Sequence, residues 1–453
     1  MLRPEIIFLT IFLNLMAGPQ LIEIIAPGEV EIVEIHLDGV TVASRTAPPW
    51  SFTVDLGKGV LPHRLTAVAV DSAGNSVAET SRLINLGLQS ADCQLVPEDP
   101  SRTLTLVCKS VTDSKIRKAE ILVDGRRVDL HADRSIPLPH DRDAHLVSAT
   151  VEFDGGDVVR EEAFVSTGGG ASLVSDLTAV TERFKPSTAE ISPENIRARH
   201  RETGAPLQIR AIERGKPLVV AIVSREARRR LAMQEILTVR TEREGRRRAT
   251  HGPDVLLDRV EELESSVGSP DWVNPILRQV DPVVDPQSGD GLAPSLFPMT
   301  DPVTLGLQSV RQLSVGPWEQ GKNEIQRISD ALVVAGALAT AEKSPRTVLL
   351  IIYRDDEDDS WQTPDQALTY LDALGVPLVI WTTGGRKGVE SQWGQATKVI
   401  DRTESMIDAA EDLNRFLSQE WVVWVEGSWL PGEVAVYLTP ASLPGPPFTT
   451  SQP

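Results

Sequence analysis

Cysteine is scarce in this chain, with only Cys93 and Cys108 in 453 residues. That excludes a disulfide-stapled scaffold, a four-cysteine zinc site and a thiolate-held iron–sulfur cluster. Histidine stops at His251, so the C-terminal part carries no imidazole base of its own. Positive charge is in deficit: 45 Lys and Arg against 64 Asp and Glu leave a formal net charge of −19. Such a field repels nucleic acid and anionic lipid. No apolar run approaches the roughly 20 residues that a transmembrane helix requires. Glycine and proline, at 32 each, are too few for a collagen-like or low-complexity chain. What remains is the composition of a soluble globular protein, long enough for roughly two to four domains.

The first twenty residues differ from the rest. A basic start, Met1-Leu-Arg3, precedes the apolar run Ile6–Met16 and the small pair Ala17-Gly18. This is the pattern of a signal peptide over 1–20, and it predicts a secreted or periplasmic protein. Glu5 and Pro19 fit that pattern poorly, and the alternative is a hydrophobic first strand. No cysteine follows the run, which argues against a lipoprotein anchor.

From residue 21 the chain reads as short alternating strands between turns. Ile32–Leu37 stops at Asp38-Gly39, Ser51–Leu56 follows Pro48-Pro49, and Leu65–Val70 precedes Asp71–Asn75. The pattern then recurs. Lys118–Val123 with Asp124-Gly125 repeats Val33–Leu37 with Asp38-Gly39, and the segment from His145 to Gly156 repeats that from His63 to Gly74. Two β-sandwich modules, 21–87 and 88–167, follow from this self-similarity. The phrases LDGVTVASRTAPPWSFTVDLG and PHRLTAVAVDSAGN resemble bacterial immunoglobulin-like domains, which implies spacer or contact modules. Cys93 and Cys108 flank a hairpin bent at Pro97 and Pro100, and in an oxidising compartment they are expected to pair.

Beyond Gly168-Gly-Gly170 the pattern changes to α/β. Leu218–Val223, Thr347–Tyr353 and Val376–Thr382 are continuous apolar runs of buried-strand type. Asn323 with Gln326, and Thr363-Pro364 with Gln366, have capping-box spacing ahead of amphipathic helices. Met406, Ala409, Leu413, Phe416 and Leu417 mark a further helix, and a strand pair, Trp421–Glu426 and Glu433–Leu438, follows it. A mainly parallel, doubly wound sheet is expected. The runs GKPLVVAIV, ISDALVVAGALATAEKSPRTVLLIIYRDDEDDS and YLDALGVPLVIWTTGG resemble a bacterial von Willebrand factor A-type (vWA) domain. The likeness covers 172–438, with a leading β segment, a long insert over 240–320 expected to be a loop, and a Pro-rich tail at 439–453.

The resemblance implies a Mg²⁺ site of oxygen ligands at the strand ends. Its positions fall on Ser224, Glu226, Arg228, Gln326 and Asp355. Only Asp355 keeps its ligand type, and Arg228 puts a guanidinium where the cation belongs, with an Arg228–Asp355 ion pair as one arrangement. The site reads as degenerate, with no metal and no cofactor. Rearranged ligands drawn from Glu226, Asp355 and Asp356 are the alternative, and the acidic run Asp355–Asp359 reads as a solvated loop rather than a Ca²⁺ site. Gly316–Asn323 resembles a phosphate-binding loop but lacks its Ser or Thr. No catalytic elbow or His-Glu-x-x-His pair is present, so no enzyme is predicted, with an envelope hydrolase as the third reading. Trp361, Trp393, Trp429 and Arg386, in loops, are candidate contacts for a protein partner, whereas Trp381, Trp421 and Trp424 belong to predicted strands and core. The Gly-rich stretch Gly384–Gly388 ends a strand, where open α/β sheets bind ligands, but it reads as a flexible solvent loop.

Overall fold

A computed structural model describes residues 6–438 except 11–14, 27–29, 87–90, 99–102, 111–114, 141, 143, 155–157, 167–171, 175–176, 185–190, 192–194, 233–273, 286–295, 306–312, 314–323, 395 and 401–402. The glycine run 168–170, the Arg-rich stretch 243–248, the loop 316–323 and the tail lie outside the described residues.

Leu218–Val223 (β1) and Arg346–Ile352 (β4) are buried at every position. Strands without a polar face need cover on both sides. They pair in parallel at the centre of a six-stranded sheet with Ile276–Val280 (β2), Val303–Thr304 (β3), Leu378–Thr382 (β5) and Lys398–Val399 (β6). The order is β3-β2-β1-β4-β5-β6, all parallel except the antiparallel edge strand β3. Val220, Ile222, Val348 and Leu350 face Ile328–Ala341 (α1) and Pro364–Ala373 (α2). Val219, Ala221, Leu349 and Ile351 face Thr403–Leu417 (α4), while the short helix Val389–Trp393 (α3) joins the first layer. Gly336 permits close helix contact, since a Cβ there would stand 2.6 Å from Leu371 Cδ2.

Several expectations are corrected. The 240–320 segment is not a structureless insert, because β2 and β3 of the central sheet come from it. Gln326 does not cap a helix starting at Asn323; α1 begins at Ile328, and Asp358 accepts from its Ile328 and Ser329 N–H groups at 2.8 and 3.2 Å. The Thr363 capping box forms as expected. Glu420–Glu426 and Val434–Leu438 do not pair with each other. The first lies between Leu177–Arg183 and Ile209–Glu213, the second beside Ile196–His200, and Val180, Ile196, Val423 and Val436 fill a core between these two small sheets.

Residues 6–84 and 91–174 each form two facing antiparallel sheets, with separate cores around Val33, Ile35, Phe52 and Leu65, and around Leu104, Leu106, Val147 and Phe153. The second runs past its expected end at 167, because Ser172–Val174 joins its sheet. The N-terminal apolar run contributes to the first: Ile7–Phe8 pairs with Ile24 and Ile25, and Ile6 is buried. Cys93 and Cys108 stand opposite each other in the hairpin Ala91–Glu98/Thr103–Ser110, their sulfurs bonded.

The sequence repeat has a physical basis. Asp38 and Asp124 turn at φ 51° and 49°. Asp38 Oδ2 meets His63 Nδ1 at 2.7 Å and Oδ1 accepts from Arg64 N at 2.8 Å; Asp124 meets His145 and Leu146 N at 2.8 and 3.0 Å. Each histidine's second nitrogen faces a carbonyl, of Leu56 or Pro139. One latch thus closes both sandwiches.

Neither sandwich is a free spacer. Val60 enters the α1 core, Tyr370 of α2 donates to Asn85 O at 2.8 Å, and Arg64 pairs with Glu433 at 2.9 Å. From the second sandwich, Arg160 reaches Glu213 at 2.9 Å and Glu162 meets Lys343 at 3.0 Å.

His145→Ala should destabilise the chain by about 1–3 kcal/mol in denaturant unfolding, since it removes the buried imidazole that bridges Asp124 and Pro139 O; a loss no larger than that of an exposed substitution would contradict the latch. A second expectation concerns Glu420, which burial pushes up to about 8 against the pull of Arg183 and Arg346. A carboxyl raised in the folded state keeps its proton after the unfolded chain has lost it, so stability is full below the unfolded value and falls as pH rises. The unfolding midpoint should therefore drop between pH 4.5 and about 8. Glu420→Gln should flatten that slope, and an unchanged slope in the variant would rule the assignment out.

Candidate functional site

Strand order reverses between β1 and β4, and doubly wound sheets open a crevice at the carboxyl ends of such a pair. Ser224 follows β1 directly and starts the helical residues 225–232. Its Oγ accepts from Ala227 N at 3.2 Å and its carbonyl from Arg228 N at 2.9 Å, so it caps that helix. Its hydroxyl proton goes to Asp356 beyond the end of β4. The Asp356 carboxylate also accepts from Tyr353 N at 2.7 Å, with the Gln326 amide and the Glu226 backbone N–H alongside. Burial raises the Asp356 carboxyl, opposed by these donors.

Gln326 is fully employed as well. Its oxygen accepts from Arg225 N at 2.6 Å, and its nitrogen donates to Glu357 O at 2.7 Å. The five expected positions therefore separate into two groups. Ser224 and Gln326 converge, but on Asp356. Asp355 points outward, with its side chain 68% exposed and, among the described residues, paired only to the adjacent Arg354 at 3.0 Å.

Arg228 does not pair with Asp355. Its Nη1 meets Asp281, at the end of β2, at 2.8 Å, and Nη2 donates to Val223 O at 3.3 Å. Asp281 is 1% exposed and also accepts from Val283 N, so a buried carboxylate claims the guanidinium. Glu226 is drawn away by Arg229 and Arg230 at 2.7 and 2.8 Å, hydrogen bonding from Arg229 holding its carboxyl below the usual range. Among the described residues no three His, Cys, Asp or Glu side chains converge as a metal site needs.

The acidic run is not uniformly solvated. Asp355, Glu357 and Asp359 are exposed, whereas Asp356 and Asp358 turn inward. Asp358 caps α1 and accepts from Ser329 Oγ at 2.5 Å. A turn at 354–355, closed by Asp356 N on Tyr353 O, aims Asp355 outward and Asp356 inward, which five consecutive acids conceal in the sequence.

The loop candidates also divide. Trp393 is 2% exposed, a core residue of the α1–α2 layer rather than a contact. Trp429 is half-buried, donating to Glu426 O at 2.8 Å under the Arg64 guanidinium. Trp361 remains 57% exposed, with Arg327 at 5.2 Å from its ring, and Arg386 is exposed too. Trp381 and Trp424 are core as expected, and Trp421 is half-buried. Sequence reading missed Asp281, which follows the mixed strand Ile276–Val280 with its Arg278 and Gln279 and so carries no hydropathy signal.

No family model and no curated protein matches the chain. Solved structures similar to part of it include fibronectin(III)-like modules of Clostridium thermocellum CbhA, at 18% identity over 35% of this chain and 92% of that one, with a TM-score of 0.16. A central fibronectin-III array of RIM-binding protein is 9% identical over 41% of this chain and 75% of that chain, TM-score 0.21. A β-glycosidase from Bacteroides vulgatus is 11% identical over 35% of this chain but 24% of its own length, TM-score 0.21. Likenesses of this size assign neither a family nor an activity.

Asp356→Ala should cost about 1–3 kcal/mol of stability by orphaning Ser224 and the Tyr353 N–H, while Asp355→Ala should be nearly neutral in the same melts. Equal losses would contradict the inward placement of Asp356.

Proposed function

We propose that the chain is a non-enzymatic protein-interaction molecule of the adhesion or scaffold type, recognising a protein partner through a vWA-like domain that needs no divalent cation. The carrying observation is mutual satisfaction at the strand ends. Ser224 gives its proton to Asp356, and Arg228 is neutralised by Asp281. A Mg²⁺ ion would have to displace the Ser224 hydroxyl proton from Asp356 and compete with the Tyr353 N–H for that carboxylate. Support for the vWA-type reading comes from the convergence of Ser224, Gln326 and an acid after β4 on one point.

The non-enzymatic reading draws on how the histidines are used. His63 and His145 are each held between a carboxylate and a carbonyl. Ser135 Oγ lies 3.2 Å from His131 Nδ1 but donates at 2.7 Å to Asp133, within one turn. We further propose a secreted or periplasmic location, which the bonded cysteines support. N-terminal sequencing of the native protein should then start near residue 20, a cleavage that removes Ile6 and Phe8 from the first core; recovery of Met1 from cytoplasm would count against export.

Millimolar Mg²⁺ or Mn²⁺ should leave the melting temperature unchanged, and partner binding should persist in EDTA. An ion at 100 times its dissociation constant adds about 2.7 kcal/mol, a shift of several degrees. Such a shift, abolished by Asp356→Ala, would refute the cation-free reading.

A further inference from the structure

The described residues of the N-terminal segment, 6–10 and 15–18, are built into the first sandwich. Ile7–Phe8 pairs antiparallel with Ile24 and Ile25, and Leu9 N donates to Glu23 O at 2.8 Å. Ile6 is buried, and Phe8 and Met16 pack against the core of Ile22, Ile24, Val33 and Phe52. Leu15 and Ala17 pack against the α1 layer. Asn85, 4% exposed, holds the segment by its backbone: Oδ1 accepts from Met16 N and Nδ2 donates to Met16 O, both at 2.8 Å. Gly18 N donates to Gly57 O, and Gly18 O accepts from Leu56 N.

Cleavage near residue 20 removes these contacts together and leaves a defined slot. The strand Pro19–Ile25 keeps its partner Ser51–Asp55 on one edge and loses its neighbour on the other. Asn85 Oδ1 loses its donor, Nδ2 keeps only Leu61 O, and an unmet buried polar group is costly. The apolar surface beneath Ile6, Phe8 and Met16 opens to water. A second feature, independent of cleavage, marks the same strand. Ile22 and Ile24 face the core, yet Leu21 and Ile25 on the outer side are 60% and 51% exposed, and Leu9 on the neighbouring segment is 51% exposed. Strands with one wet face alternate apolar and polar residues, so this strand has the sequence of one covered on both faces.

We propose that in the exported chain this slot accepts an extended apolar segment of a protein partner, which adds a strand to the first sandwich where residues 6–10 lie before cleavage. The site is separate from the contact assigned to the vWA-like domain, and it rests on the export reading. The segment seated there sets the chemistry of the occupant. It must offer backbone groups to the free edge of Leu21–Ile25, large apolar side chains at the two alternate places of Ile6 and Phe8, and a further peptide group to Asn85. Strand addition draws affinity from main-chain hydrogen bonds and specificity from pockets for alternate side chains. Charge does not select the occupant: residues 6–18 carry no ionisable side chain, and Leu21–Ile25 carries only Glu23. Every processed copy has lost the same residues, so exchange of this strand between copies cannot refill the slot, and the donor is a different protein.

The test uses protein purified from the compartment to which it is exported, its N-terminus sequenced, and a labelled synthetic peptide of residues 5–18 followed by fluorescence anisotropy. The processed chain should bind the peptide, and a saturating amount should raise its melting temperature by several degrees. The same peptide with Ile6→Asp and Phe8→Asp should bind about tenfold more weakly or worse, and Asn85→Ala in the chain should weaken the unaltered peptide several-fold. Full-length chain that retains Met1 has its slot filled and should not bind. A processed chain that does not bind, equal binding of the doubly substituted peptide, or equal binding by the full-length chain would overturn the proposal and leave export standing. A processed chain that is dimeric and ignores the peptide has covered the face with a second copy, which overturns it as well. Recovery of Met1 on the native protein removes the export reading, and the slot with it.

Discussion

A carboxylate taken out of water must be met by donors or a cation, and the ends of the central strands are built around two that are. Asp356 is met by Ser224, Tyr353 N–H, Gln326 and the start of the helix after β1. Asp281 is met by Arg228 and Val283 N–H. These contacts join β1, β2, β4 and the strand residues Ile325–Gln326, elements far apart in sequence. Removing either partner would leave the other buried and unpaired, a larger penalty than the net worth of the pair. The strand ends are therefore a rigid structural node.

The same logic recurs where the domains meet. Glu162, inaccessible to solvent, lies between Arg160 and Lys343, linking the second sandwich to the end of α1. Asn85 joins three elements: it exchanges hydrogen bonds with Met16, donates to Leu61 O, and offers its carbonyl to Tyr370. With Val60 packed in the α1 layer, the first sandwich completes the cover of the central sheet rather than standing apart from it.

Much of this fold is legible in the residues. Buried strands announce themselves as unbroken aliphatic runs, and β1 matches its expected bounds residue for residue. The doubled Asp-Gly and His signals mark two sandwiches because each pair forms the same latch. β2 and β3 were hidden because their short strands are punctuated by prolines and separated from β1 by a long polar stretch, which reads as a loop. The third β unit was hidden because its strands come from both sides of the α/β segment, and pairing over that separation leaves no local trace. At the site, the positions of Ser224 and Gln326 were legible, but a run of five acids offers no hydropathy contrast to tell inward from outward. The choice between Asp355 and Asp356 rests on backbone direction. Similarly, Trp393 reads as a loop residue, yet a five-residue helix turns it into the core.

The central claim is that Ser224 and Asp356 satisfy each other and leave no place for a cation. A crystal structure of the chain grown or soaked in Mn²⁺, read by anomalous difference density, tests it most directly. The account predicts Ser224 and Asp356 in direct hydrogen bond, Arg228 on Asp281, and no anomalous peak between the ends of β1 and β4. A manganese peak there, ligated by Ser224 and Asp356 in an octahedron completed by water, would contradict it.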